Sequence, residues 1–141
     1  MTDFVVDASV VIMWLVDEPL SQAARQLQGR ALAAPDFLLV EVGNALWKLH
    51  RKGVLTRERS LARIEALRLA PLSVTPSIAL VGQALGLAAD LDHPVYDCLY
   101  LALALRESCP VVTSDKKFFA KVEAHPYLKQ FARVLQTRAD E

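Results

Sequence analysis

Four carboxylates in this chain sit where charge is expensive. Asp7 ends the apolar run Phe4-Val5-Val6, and Asp115 follows Val111-Val112-Thr113-Ser114. Glu41 lies among Leu39, Val40 and Val42, and Asp97 opens the otherwise uncharged stretch Cys98–Leu105. A carboxylate in apolar surroundings must be paired, protonated or bound to a cation. Two of them about 4 Å apart repel by roughly 4 kcal/mol at an effective dielectric near 20. If the four converge, the chemistry they suit is divalent-metal binding through oxygen, which fits Mg²⁺ or Mn²⁺ better than zinc. His50, His93, His125, Cys98 and Cys109 form no zinc spacing. Each acid also has a structural reading: Asp7 and Asp115 as turn or cap residues, Glu41 and Asp97 as first-turn acids.

The elements that would bring them together follow from periodicity. Phe4–Asp7 reads as a buried strand, with Ser9 as the expected cap of a helix over Val10–Val16. Pro19 is expected to open a helix to about Arg30, followed by a strand at Leu32–Ala34. A long helix over Asp36–Arg51, stopped by Gly53, carries the apolar stripe Leu38, Val42, Ala45, Leu46 and Leu49. Glu41, Asn44 and Lys48 form a ridge beside that stripe, and Val40, Gly43 and Trp47 line the opposite side.

Thr56 opens the next helix, to about Leu69. A strand at Leu72–Val74 leads to a helix expected to be capped by Ser77 and to end near Leu91. Pro94 starts the apolar helix Val95–Glu107. A strand at Val111–Thr113, a helix at Lys116–Val122 and a strand at Ala132–Leu135 complete the order. Short apolar strands alternating with helices predict one α/β domain with a parallel sheet and right-handed crossovers. Ligands of such sheets lie beyond the carboxyl ends of the strands, where Asp7 and Asp115 are expected.

Polar neighbours add to the pattern. Ser9, Thr113 and Ser114 place hydroxyls beside the acids. Lys48, Arg51 and Lys116 are candidate phosphate contacts, although cations at helix ends are also ordinary. Trp47, with Val40 and Trp14, is the expected partner surface, with internal packing as the alternative for Trp14.

The totals bound the class. A hydrophobic fraction of 53% suits a sheet covered on both faces. Lysine plus arginine and aspartate plus glutamate stand at 16 each, so any nucleic-acid binding must come from local patches. No basic n-region precedes the first apolar run, and that run is too short to span a bilayer. The expectation is a cytoplasmic protein with two reduced thiols and no membrane association.

The segments 5-VVDASVVI-12, 40-VEVGNALWK-48, 96-YDCLYLALA-104 and 111-VVTSDKKF-118 together resemble PIN-domain ribonucleases, most of all the VapC-type toxins of toxin–antitoxin modules. The resemblance covers essentially the whole chain, residues 1–141. It implies a three-layer α/β/α sandwich with a central, mostly parallel sheet. It also implies that Asp7, Glu41, Asp97 and Asp115 bind Mg²⁺ or Mn²⁺ and hydrolyse RNA phosphodiesters. Asn44 matches a frequent polar neighbour of the glutamate, and Thr113 a hydroxyl two residues before the last acid. A homodimer and a cognate antitoxin lying on an apolar face complete the expectation. The competing readings are a related nuclease outside any toxin–antitoxin pair, and a catalytically inert metal- or RNA-binding module.

Overall fold

A computed structural model describes residues 1–136; the last five residues of the expected domain lie outside the described part. Five strands form one parallel sheet in the order β3-β2-β1-β4-β5. They are β1 (Phe4–Val6), β2 (Leu32–Pro35), β3 (Ser73–Thr75), β4 (Val111–Thr113) and β5 (Ala132–Val134). The helices are α1 (Ala8–Leu15), α2 (Ser21–Gln26), α3 (Phe37–Arg51), α4 (Arg57–Arg68), α5 (Val81–Leu91), α6 (Val95–Glu107) and α7 (Lys116–Glu123).

The strand order gives the layers. The chain moves outward from β1 through β2 to β3, then returns across the sheet to β4 and β5. Right-handed crossovers therefore place α1 to α4 on one face and α5 to α7 on the other. This is the expected three-layer α/β/α arrangement. The direction of winding reverses between β1 and β4, which pair Val5 with Val111 and Val6 with Val112. That topological switch point opens a crevice at the carboxyl ends of these two strands.

The middle of the sheet is dry. Val5, Val6, Val111 and Val112 are buried, and α6 covers β1 and β2 with Leu101, Leu103 and Ala104 fully enclosed. Helix α6 is apolar on every side because it is wedged between the sheet and α5. Its N-terminus comes to the carboxyl edge of the strands, since a helix that leads into a parallel strand runs antiparallel to it. Asp97 is thereby delivered to the edge where β1 and β4 end.

Several local expectations are corrected. Helix α1 begins at Ala8, and its cap is Asp7, whose Oδ1 accepts from Val10 N at 3.2 Å; Ser9 lies inside the first turn. Helix α2 begins at Ser21, two residues after Pro19, and gives way to a 3₁₀ turn at Leu27–Gly29. Ser77 does not cap α5, which starts at Val81 after a 3₁₀ turn at Ser77–Ala79. Its hydroxyl instead accepts from Phe37 N at 3.1 Å, and its own N–H donates to Asp36 Oδ1 at 2.9 Å. Ser77 thus caps α3 from forty residues away in sequence.

This clamp orients the helix that carries Glu41. Ser77→Ala and Asp36→Ala should each lower stability by about 1 kcal/mol, the usual worth of a cap. Because the two groups form one unit, the double variant should lose less than the sum. Strict additivity in chemical denaturation would contradict the clamp.

Candidate active site

At the switch point, β1 ends in Asp7 and β4 continues through Thr113 to Asp115. Asp7 N donates to Val112 O at 3.4 Å, so the pairing of the two strands extends to the acid itself. Asp7 is 4% exposed. Ser9 Oγ donates to Asp7 Oδ1 at 2.5 Å and accepts from Ser114 N at 2.9 Å. It also lies 3.4 Å from Thr113 Oγ1, which accepts from Asp115 N at 3.0 Å. A chain of hydroxyls therefore links the tips of β1 and β4. Ser9 is its central member, placed there because α1 starts two residues earlier than expected.

The other acids approach from the two helical layers. Glu41, on α3, accepts a 2.5 Å hydrogen bond at Oε1 from the fully buried Tyr100 hydroxyl of α6. Asp97, one turn before Tyr100, receives His93 Nε2 at 2.6 Å on Oδ2. His93 in turn stacks on Phe118, with ring centroids 5.2 Å apart. Asp115 caps α7, its Oδ1 accepting from Lys117 N at 3.0 Å and Phe118 N at 3.2 Å.

Burial and like charge dominate the electrostatics. Burial pushes the Asp7 carboxyl up to about 7, against the pull of its Ser9, Thr113 and Val10 hydrogen bonds, and the charge of Asp97 adds to the rise. Glu41 is raised by burial and again by Asp97, while the Tyr100 hydrogen bond opposes the shift. Tyr100 is driven strongly upward by burial and then by Glu41, so it stays a hydroxyl donor at any working pH. Burial and Asp97 push the Cys98 thiol up to about 11, which removes it as a thiolate ligand. Asp7, Glu41 and Asp97 thus form one electrostatic unit around Tyr100. Asp115 is joined to it through the hydroxyls of Ser9 and Thr113.

As arranged here, no three acidic, histidine or cysteine side chains among the described residues stand close enough to share one ion. The expected single convergence of four carboxylates is therefore looser than the spacing suggested. The donor chemistry still fits a hard divalent cation. All four groups are carboxylates, and Glu41, Asp97 and Asp115 each take their hydrogen bonds on one oxygen only. Among the described residues, no protein donor occupies the second oxygen. A shared ion would require the side chains to swing from their present partners or to bind through water.

The flanking residues divide in two. Asn44 and Lys48 line a groove of about 510 Å³ together with Glu41, Ser9, Phe37, Val40 and Tyr96. Val40 therefore belongs to the rim of this groove. Arg51 instead lies over the Trp47 ring, 5.6 Å from its centroid, and is not among the residues lining this groove. Lys116 is exposed at the start of α7. Trp47 is half-exposed, whereas Trp14 is tied down internally by a 2.8 Å bond from Nε1 to Ala24 O.

Sequence reasoning missed two site residues. His93 stands four residues before Asp97, a helical spacing that is readable. Tyr100 shares the Asp97 face, but its partner Glu41 is 59 residues away and only the fold reveals it.

The same fold occurs among known proteins. The family model described as PIN domain matches residues 4–124. Ribonuclease VapC3 of Pyrobaculum aerophilum is 32% identical over 124 residues, spanning 85% of this chain and 95% of that protein. Among solved structures, PAE2754 from the same organism superposes with a TM-score of 0.71 at 23% identity, covering 95% of this chain and 91% of the other. Mycobacterium tuberculosis VapC20, a sarcin–ricin loop cleaving toxin, reaches a TM-score of 0.67 at 19% identity, covering 88% of this chain and 100% of that one. At such identities the two structures attest the fold.

The raised Asp7 carboxyl has a signed consequence for stability. Its folded value lies above its unfolded one, so the folded state holds a proton that the unfolded chain releases. Stability is greatest below pH 4 on this account and falls as pH rises through 7, by up to about 4 kcal/mol. Asp7→Asn removes that loss while keeping the shape. Without divalent metal, the variant should melt higher than the wild type at pH 8, with the gap closing toward pH 4. A wild type at least as stable at pH 8 would contradict the placement of this charge.

Proposed function

The chain belongs to the PIN-domain family, and from that premise we propose that it is a Mg²⁺- or Mn²⁺-dependent endoribonuclease, the toxic member of a toxin–antitoxin pair. The observation that carries this reading is the burial of Asp7 beside Asp97 and Glu41 at the switch point of the sheet. Such an arrangement is costly in an empty pocket and favourable around a cation. The names of the similar ribonuclease and toxin support the same reading.

In this reading Asp7 and Asp97 hold the cation, and Glu41 and Asp115 complete its surroundings directly or through water. The metal supplies a Lewis acid that activates water and stabilises charge on the phosphate and the leaving oxygen. Tyr100 fixes Glu41, and His93 fixes Asp97. Ser9 and Thr113 hold Asp7 in register with the tip of β4, with Ser114 tied to Ser9. Lys48 and Lys116 flank the acids as phosphate contacts, and Asn44 provides a neutral polar edge. Arg51 serves the neighbouring Trp47 surface.

That surface is the proposed seat of the partner. Helices α3 and α4 enclose a groove of about 320 Å³ lined by Gly43, Leu46, Trp47, Leu61 and Ile64, with His50, Arg57 and Ser60 as its polar members. Trp47 and Leu61 are each about half exposed, at 50% and 49%. An apolar segment of an antitoxin fits this chemistry, and a contact between two copies of the chain in the cytoplasm is the alternative occupant. No helix of the described residues is long and apolar enough to cross a membrane.

Cleavage of cellular RNA should need Mg²⁺ or Mn²⁺, stop in EDTA, and fall by at least about 100-fold in Asp7→Asn or Asp97→Asn. Undiminished cleavage in a folded Asp7→Asn variant would sink the mechanism. Metal binding without any RNA cleavage would favour the inert module.

Trp47→Ala should leave folding and the metal response intact while weakening antitoxin binding or self-association by 2 kcal/mol or so. Wild-type affinity in both assays would remove Trp47 as an anchor.

A further inference from the structure

The groove beside Glu41 has an aromatic wall that metal chemistry does not use. Phe37, the first residue of α3, and Tyr96, in the first turn of α6, stack with ring centroids 5.6 Å apart and planes only 14° from parallel. Tyr96 is 60% exposed, and Phe37 is the half-buried inner member of the pair. Tyr96 is covalently next to Asp97, and Phe37 stands one helical turn before Glu41. The stack is therefore anchored on the same two helices as the acids, on their open side.

From Phe37 the same face of α3 presents Val40, Glu41, Asn44 and Lys48, and all five residues line one groove with Tyr96. The order along it is an aromatic face, a carboxylate, a neutral amide and a cation, over about 16 Å of helix. A short single strand of RNA carries the complementary groups: a flat base, polar base edges and, further along, an anionic phosphate.

Building on the ribonuclease reading, we propose that Tyr96, backed by Phe37, is a stacking platform for one unpaired base of single-stranded RNA, with Lys48 meeting a phosphate further along the strand. Phe37 holds the tyrosine ring flat. The outer face of that ring takes the base, and the base fixes the adjacent phosphodiester against the acids. Stacking is tolerant of base identity and is worth about 1–3 kcal/mol per base. The platform selects unpaired nucleotides over duplex, because a base inside a helix cannot offer its face.

The test is equilibrium binding of a short single-stranded RNA to the full chain, with Ca²⁺ replacing Mg²⁺ to suppress cleavage. A series of strands, each with one base removed at a different position, reports where stacking occurs. Tyr96→Leu keeps apolar packing against Phe37 but removes the aromatic face, and Tyr96→Phe keeps both. Affinity for the intact strand should fall about 5- to 150-fold in Tyr96→Leu and stay near wild type in Tyr96→Phe. At one strand position, removing the base should weaken the wild type and cost Tyr96→Leu nothing further. Wild-type affinity in Tyr96→Leu overturns the platform and leaves the ribonuclease reading standing. So does an equal loss on every base-deleted strand, or a changed oligomeric state with unchanged RNA affinity. A wild-type chain that binds no RNA overturns both.

Discussion

The arrangement depends on a carboxylate that the fold cannot solvate. Asp7 terminates the central strand of a parallel sheet, where helices cover both faces and water is excluded. Its own hydrogen bonds to Ser9 and Val10 offset part of the desolvation, yet its carboxyl still stands near 7. A neutral residue would cap α1 at lower cost. Retaining an acid there, with Asp97 close enough to raise it further, makes sense when something positive completes the site.

The rest of the structure can be read as support for that position. The apolar girth of α6 buries it against the sheet and fixes its N-terminal turn at the strand edge. Tyr100 is the link between layers, since one fully buried hydroxyl ties α6 to Glu41 on α3. The Asp36–Ser77 clamp sets the start of α3 against the end of β3. His93 holds Asp97 and is itself held by Phe118 on α7, so the helix that Asp115 caps is coupled to a second acid. Each acid thus has a positioning partner on another element or at another turn, the kind of outer shell that keeps a charged site ordered.

The inner strands were legible in the sequence because β1, β2 and β4 are short, largely apolar runs, whereas the edge strand β3 is Ser73–Thr75, exposed and one residue later than the expected Leu72–Val74. Helices α3, α4 and α6 were legible because apolar stripes, Thr56 and Pro94 mark them. Asp7, Glu41 and Asp97 stood out because each interrupts an apolar pattern, and Asp115 because it stands just past the tip of an apolar strand. Failures were local choices between equivalent caps or contacts distant in sequence. Asp7 and Ser9 both suit the start of α1, and the extended backbone of Asp7, at φ −97° and ψ 175°, decides for it. Ser77 looked like a cap for the helix after it, yet its hydroxyl serves α3. The convergence of the acids was overestimated because spacing places a residue on a face without showing that Asp97 turns to His93 and Asp115 to the α7 amides.

The central claim, that this acidic edge exists to hold a divalent cation, is tested most directly by calorimetric titration of Mn²⁺ into the metal-free chain. The account predicts saturable binding that weakens at least about tenfold in Asp97→Asn, the loss of one charged oxygen ligand. Binding should survive in Lys116→Ala, which removes a neighbouring charge of opposite sign. Absence of saturable heat, or equal affinity in wild type and Asp97→Asn, would contradict it.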